Sequence, residues 1–217
     1  ERAPTLGGKL LRFDAEAALR VPGVRQVRPV TAGVHPGVAV LADDTWSALR
    51  GREALRIEWA PGVAFDSEEY LAALPAALEG PAFKVRHEGD ADAALAGAAR
   101  RISASYLYPF QAHAPLETQN CTAVYWGGRV ELWVPTQTDV RTLQQAARVA
   151  GVPESSVVMH PMLVGGGFGR RSFADFVAET VELARLTQQP VQLLWTRADE
   201  IRHGYFQPAT IQRFEAG

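Results

Sequence analysis

Residues 121–134 read CTAVYWGGRVELWV: two segments of alternating apolar and polar side chains, Cys121 to Trp126 and Arg129 to Val134, joined by Gly127-Gly128. Alternation with a period of two marks a half-buried strand. A Gly–Gly pair supplies the positive φ angles that a two-residue hairpin turn demands. An antiparallel hairpin is therefore predicted here, and the segments on either side are read against it. Downstream, Asp139 to Ala150 is predicted as a helix stopped by Gly151, and Ser156 to His160 as a strand. Gly165 to Arg171 is a glycine-rich loop, followed by a helix over Ser172 to Thr187. In that helix Phe173, Phe176, Val177, Thr180, Val181 and Ala184 share one face at helical spacing. Val191 to Trp195 follows Pro190 as a further strand, and such a strand–helix–strand run is what a parallel pair needs.

Upstream of the hairpin the pattern is again mixed. Val24 to Val30 and Gly37 to Leu41 are short β-branched runs bounded by Pro22-Gly23 and His35-Pro36-Gly37. Asp44 or Thr45 caps a short helix over Trp46 to Arg50, with Gly51 expected to end it. Ala54 to Trp59 alternates as a strand. Ser67 opens a helix that reaches about Leu78, and Pro75 is expected to kink or shorten it. Asp90 caps an alanine-rich helix to about Ala98, and Arg101 to Tyr108 alternates as a strand. These elements give a mixed α+β fold. A soft boundary falls between Gly80 and Gly97, dividing residues 1–90 from 91–217.

The chain has 217 residues, which fits one to two domains, and 47% hydrophobic residues are enough for a sizeable core. With 22 Lys+Arg against 24 Asp+Glu, the net charge of −2 argues against a generally basic nucleic-acid binder. One cysteine, Cys121, excludes an intrachain disulfide framework and an all-cysteine cluster or zinc site made by this chain alone. No run of 18 apolar residues is present, so no membrane-spanning helix is predicted. The opening Glu1-Arg2-Ala3-Pro4 lacks an initiator Met and a signal-like segment, as expected of an internal piece or a processed product. Only Lys9 and Lys84 among the basic residues are lysine, a bias that a G+C-rich genome explains.

The strongest chemical feature is Gly165-Gly166-Gly167-Phe168-Gly169-Arg170-Arg171. Adjacent glycines permit positive φ and leave bare backbone for a ligand, and a following helix start favours an anion. Arg170 stands where both common nucleotide templates place a glycine, so neither fits. A strand-to-helix turn needing glycine for packing alone is the competing reading. Gln137, in PTQTD just before a helix, can donate to an oxo group or serve as a surface cap. His113 and Glu117 could form a general-base pair or ligate a metal, but no second His or Cys stands at ligand spacing, which favours a structural role. Asp175 and Glu179 share one helix face, where a solvated or arginine-paired role outweighs cation binding. Cys121 is expected in the core.

The stretch HAPLETQNCTAVYWGGRVELWVPTQTDVR, then GGGFGRRSFADF, then PVQLLWTRADEI resembles the molybdenum-cofactor subunit of the xanthine dehydrogenase/aldehyde oxidase family, in the branch typified by the large (beta) chain of isoquinoline 1-oxidoreductase. VPGVRQV with GVAVLADDTWSALRGREALRIEW is similar to that family's α/β-hammerhead domain. The resemblance implies a hammerhead-like domain over 1–90, followed over 91–217 by the N-terminal part of a molybdenum-cofactor-binding domain. It implies a molybdenum–molybdopterin cytosine dinucleotide held near Gln137, Gly166, Gly167, Phe168, Gly169 and Arg170. It also implies hydroxylation of aldehydes or N-heteroaromatic compounds with water as oxygen source, and a small partner subunit with [2Fe–2S] clusters. Two departures stand out. Where purine-oxidising members carry a glutamate after this loop, Ser172 stands here, and the family's catalytic glutamate matches no residue of this chain. No catalytic residue and no protein ligand to a metal is thus assigned within 1–217. A non-catalytic cofactor-binding or assembly module with the same fold is the second hypothesis, and the compartment stays open between cytoplasm and periplasm.

Overall fold

A computed structural model describes residues 1–217. In chain order it contains β1 (Lys9–Asp14), α1 (Glu16–Leu19), β2 (Val24–Val30), β3 (Gly37–Ala42), α2 (Thr45–Ala54), β4 (Arg56–Ala60), α3 (Ser67–Ala77) and α4 (Ala91–Ala96). There follow β5 (Ile102–Tyr108), β6 (Gln111–Ala112), β7 (Asn120–Trp126), β8 (Arg129–Val134), α5 (Asp139–Ala150), β9 (Val157–Pro161) and α6 (Asp175–Thr187). The last elements are β10 (Val191–Leu194), α7 (Arg197–His203), β11 (Phe206–Gln207) and β12 (Thr210–Ala216). The fold is mixed α+β, and none of its helices is long and apolar enough to cross a membrane. Two compact units form: Glu1–Ala64 with Ala112–Tyr205, and Phe65–Gln111 with Phe206–Gly217. Division by packing thus differs from the boundary placed at 90/91, because residues 1–64 share a core with the hairpin region.

The first unit is built on a four-stranded sheet of order β10-β7-β8-β9. β7 and β8 form the antiparallel hairpin, Thr122 opposite Trp133, with Gly127 (φ 53°) and Gly128 (φ 77°) both left-handed as a type I′ turn requires. In β8 every second side chain, Val130, Leu132 and Val134, is buried. The parallel pair is β8–β9, and the helix crossing over between them is α5, closed by Gly151 at φ 73°. The strand after α6 does not extend that parallel run. β10 takes the edge left free on β7 and runs antiparallel to it, Val191 opposite Ala123. β9 and β10 therefore lie at opposite edges of the sheet, and α6 spans them. The small inward residues Ala146, Ala147 and Ala150 of α5 and Phe176, Val177 and Val181 of α6 close the core over Cys121, Ala123 and Leu132. Burial holds the Cys121 thiol protonated, its pKa pushed up to about 12.

α6 begins at Asp175 rather than Ser172, because Arg170–Ser172 first makes a 3₁₀ turn after the left-handed Gly169 (φ 93°). Phe173 consequently drops off the helix's apolar face and is 41% exposed, while ten residues from Asp175 to Ala184 are buried. The antiparallel pairs β1–β4 and β2–β3 belong to the same unit, and Val30, Ala39 and Leu41 join its core. α2 is capped by the Asp44 carboxylate, which accepts from the Ser47 N–H at 2.9 Å. Gly51 does not end this helix, which continues to Ala54. It is instead buried against β2 and β3, where an added Cβ would lie 2.7 Å from Val24 Cγ2 and 2.9 Å from Val40 Cγ1.

In the second unit β5 and β12 form an antiparallel ladder from Tyr108–Thr210 to Ile102–Ala216. α3 is capped by Asp66 and runs through Pro75 to Ala77. Phe65, Tyr70 and Phe110 cluster with ring centroids 5.3–5.8 Å apart.

At an exposed helix position Gly→Ala gains about 1 kcal/mol of propensity. At Gly51 the absence of space reverses the sign, and Gly51→Leu should lower unfolding stability by about 1–3 kcal/mol through overpacking. Urea melts of the two proteins measure it.

Candidate functional site: the glycine loop between β9 and α6

The glycine loop is held by two segments far from it in sequence. Gln137 follows β8, and its Oε1 accepts the N–H groups of Gly169 and Arg171, each at 3.2 Å. Its own N–H donates to the Arg171 carbonyl at 3.2 Å. The predicted convergence of Gln137 with the Gly-Phe-Gly loop is thus direct contact. Gly167 lies so close that a Cβ there would collide with the Gln137 amide. Glu117 braces the other end. Its Oε2 accepts from Gly165 N–H at 2.8 Å and from Arg171 Nη2 at 2.9 Å, and its N–H donates to the Gly165 carbonyl at 3.1 Å. A Cβ on Gly165 would sit 2.6 Å from Glu117 Cβ.

The side chains of both arginines of the loop turn into the protein. Arg171 is fully buried and donates from Nε to Gly166 O (3.0 Å), from Nη1 to Pro135 O (3.1 Å), and from Nη2 to the Glu117 (2.7 Å) and Thr118 (3.2 Å) carbonyls. Arg170 is also fully buried and forms a two-point ion pair with Asp175 at 2.8–2.9 Å. Its guanidinium lies 5.2 Å from the Trp195 ring and 5.3 Å from that of Tyr205. Burial raises the Asp175 pKa by more than Arg170 lowers it. The Arg170 side chain, placed at the site by the sequence, therefore points inward and is occupied by the protein itself.

What the loop leaves without an internal partner is backbone, and what it exposes is one ring. Gly165, Gly169, Arg170, Arg171 and Ser172 donate their N–H groups internally, whereas those of Gly166, Gly167 and Phe168 meet no protein acceptor. Phe168 has φ 53° and leaves its side chain 67% exposed. A non-glycine residue held left-handed stores strain that surrounding contacts must fix, and such residues cluster where ligands bind. The anion-favouring donors come from the loop and not from the α6 N-terminus, which starts later at Asp175.

His113 and Glu117 do not pair with each other. His113 Nδ1 donates to the Tyr205 carbonyl at 2.8 Å, and the Nε2 side of the ring backs Gly169. Asp175 and Glu179 are arginine-paired as expected, but buried, the second with Arg2 through two hydrogen bonds. Among residue types able to hold a metal, no group of three converges. Residue-by-residue reading missed the bracing by Arg171 and Glu117. The signal available was the nearness in sequence of Glu117 to the hairpin that also delivers Gln137.

Residues 77–217 match the model of the molybdopterin cofactor-binding domain. The chain belongs to that family. It is 29% identical over 90% of its length to one of the subunits of the nicotinate dehydrogenase of Pseudomonas putida, covering 16% of that protein. It is 28% identical over its full length to the beta chain of the isoquinoline 1-oxidoreductase of Brevundimonas diminuta, covering 29% of it. The aldehyde oxidoreductase of Desulfovibrio gigas shares the fold, with a TM-score of 0.70 at 16% identity over 99% of this chain and 28% of that one. The chain thus spans less than a third of each of these relatives. It is a fragment-length representative of the xanthine dehydrogenase/aldehyde oxidase molybdenum subunits.

Behind the loop, Trp195 is stacked by Arg2 at 4.0 Å, and the neighbouring His203 is 6% exposed, its Nδ1 without a partner. Burial, reinforced by Arg2 and His35, lowers the His203 pKa from 6.5 to about 4. The unfolded chain therefore binds the proton first as pH falls. Stability should be full above pH 6.5 and lost progressively toward pH 4, by on the order of 2–3 kcal/mol from this residue. Denaturation at pH 7 and pH 4.5 should show that slope, and His203→Gln should flatten it.

Proposed function

We propose that this chain is part of the large subunit of a molybdenum hydroxylase, in which Gln137 and the backbone of Gly166, Gly167, Phe168 and Gly169 hold the cofactor. One observation carries the reading: three consecutive N–H groups without an internal acceptor lie beside a glutamine amide fixed to the same loop. Such a donor row fits the oxo ligands and ring heteroatoms of a molybdenum–pterin group. When bound, that group supplies the oxidising power for hydroxylation of an electron-poor carbon with oxygen from water.

The residues of this chain bind and orient. With its oxygen committed to Gly169 and Arg171, the Gln137 amide has only its Nε2 donors to offer outward. The exposed Phe168 ring supplies an apolar wall beside those donors. Arg170 contributes its buried pair with Asp175 to the loop's shape, and its side chain is left out of the proposed contacts. The cytosine dinucleotide form of the cofactor belongs to this proposal, as do aldehyde or azaarene substrates and a small iron–sulfur partner carrying [2Fe–2S] clusters. They are supported by the sequence resemblance and by the substrates named for the relatives. So is the division into a hammerhead-like part over 1–90 and a cofactor-binding part over 91–217. The base that takes the proton from water lies, on this reading, in polypeptide beyond residue 217.

Purification of the full-length protein from its native host, with molybdenum, iron and sulfide measured together, tests the proposal. Molybdenum with a second, iron-bearing chain, and incorporation of ¹⁸O from labelled water into an aldehyde or azaarene product, are the expected results. An active enzyme without iron or a second chain would overturn the partner assignment. Gln137→Ala in that protein should reduce kcat by about 10²–10³-fold, the usual loss for one preorganised donor, with molybdenum content held above half. Residues 1–217 alone should show no turnover.

A further inference from the structure

Residues 113–117 lie along the glycine loop from Gly169 back to Gly165. The Nε2–Cδ2 edge of His113 is 3.7–3.9 Å from the Cβ position of Gly169, and Pro115 Cβ is 3.4 Å from that of Gly166. The Phe168 ring also reaches to 3.4 Å from the Gly166 Cβ position, so the exposed ring and this segment share one side of the loop. The segment is pinned. Arg197 Nη2 donates to the Pro115 and Leu116 carbonyls at 2.7 and 2.8 Å. Ala114, next to His113, and Phe168, next to Gly169, are both non-glycine residues at positive φ, held there by their surroundings. Acceptors brought to the loop by its neighbours are otherwise taken up within the protein: Gln137 Oε1 by Gly169 and Arg171, and the Glu117 carboxylate by Gly165, Arg171 and Asn120. His113 differs. Its Nδ1 donates to the Tyr205 carbonyl, which assigns the proton of the neutral ring to Nδ1 and its lone pair to Nε2. That second nitrogen has no protein partner, and the residue is only partly buried.

Resting on the cofactor reading above, we propose that His113 is a further binding residue of this site, whose Nε2 accepts a ring N–H of the bound pterin. The free N–H groups of Gly166, Gly167 and Phe168 and the Gln137 Nε2 can only donate. Donors alone hold any oxyanion of suitable size. A pterin carries N–H groups as well as lone pairs, and a donor left unmatched on binding weakens the complex. His113 supplies the acceptor that tells the heterocycle from a bare anion. Its tautomer and direction are fixed before binding, because its anchor is itself packed against the loop's exit. The Tyr205 ring stacks on Phe173 with centroids 4.0 Å apart, and Phe173 directly follows the 3₁₀ turn that leaves the glycines. Loop and imidazole are thereby tied to one aromatic pair. A purely structural role is served by Nδ1 alone, and the two nitrogens can be separated by substitution.

In the full-length protein, His113→Asn keeps a donor where Nδ1 bonds Tyr205 and removes Nε2. His113→Gln brings an amide oxygen to the reach of Nε2 and gives up the Nδ1 position. Both are purified from the native host beside the wild type. Pterin release is followed by the fluorescence of its oxidised form, with molybdenum measured in parallel. His113→Asn should release the pterin about 10-fold faster than wild type, the equivalent of one hydrogen bond, at an unchanged melting temperature. His113→Gln should stay within about 3-fold of wild type. Release from His113→Asn equal to wild type, the opposite order of the two variants, or equal loss in both would overturn the proposal. So would faster release accompanied by a lower melting temperature, since each of these results leaves His113 only its bond to Tyr205. A wild type carrying neither molybdenum nor pterin overturns the cofactor reading and this contact together. A loaded wild type matched by His113→Asn overturns the contact alone.

Discussion

One buried guanidinium organises the site. Arg171 ties Gly166, Pro135, Glu117 and Thr118 together, and these belong to three segments that the chain reaches through a hairpin and then α5 with β9. Taking such a cation out of water costs several kcal/mol. Hydrogen bonds from a charged donor return about 1.5–3 kcal/mol each, and Arg171 makes them from every nitrogen. The balance holds only while all acceptors stay in place. A loop that would otherwise be mobile is thereby made to share the rigidity of the sheet beneath it.

That constraint explains the division of labour around the loop. Gly165 and Gly167 are glycine because Glu117 and Gln137 occupy the space a Cβ would need. Gly166 and Gly169 are glycine because their φ angles of 100° and 93° are left-handed. Phe168 is the exception, carrying a large side chain at positive φ, and it is the residue the loop turns outward. With the neighbouring amides all bonded inward, the donors of Gly166, Gly167 and Phe168 are fixed in direction before any ligand arrives. Preorganised donors of this kind cost nothing to reorient on binding.

The hairpin, α5, the capped starts of α2, α3 and α4, and the buried Cys121 could all be read from periodicity and capping, since those signals are local. Three features could not. Gly51 looked like a helix stop because nothing in the sequence reveals that Val24 and Val40 press on its helix face. The antiparallel placement of β10 depends on which sheet edge is free, a global fact. Arg170, charged beside a glycine loop, looked like a ligand contact, yet Asp175 draws it inward, as Glu117 does its neighbour Arg171. The packed units likewise ignore the compositional boundary near residue 90, because the core that residues 1–64 complete lies beyond residue 112.

The same logic links the site to the start of the chain. Arg170 and Arg2 both stack on Trp195, and the Trp195 Nε1–H donates to Glu179, which Arg2 also holds. Arg52 joins them by gripping Asp199, the residue that caps α7 together with Thr196. Positive and negative groups thus alternate from Glu1 to the glycine loop: Arg52, Asp199, Arg2, Glu179, then Arg170 with Asp175 across the Trp195 ring. Removing Arg2 leaves Glu179 buried without its cation, and removing Arg170 does the same to Asp175, which costs more than the pair contributed. The network is therefore a reason for the first residues to fold with the cofactor-binding sheet as one unit. Their packing helps keep Arg170 in place, and with it the turn that leads into α6.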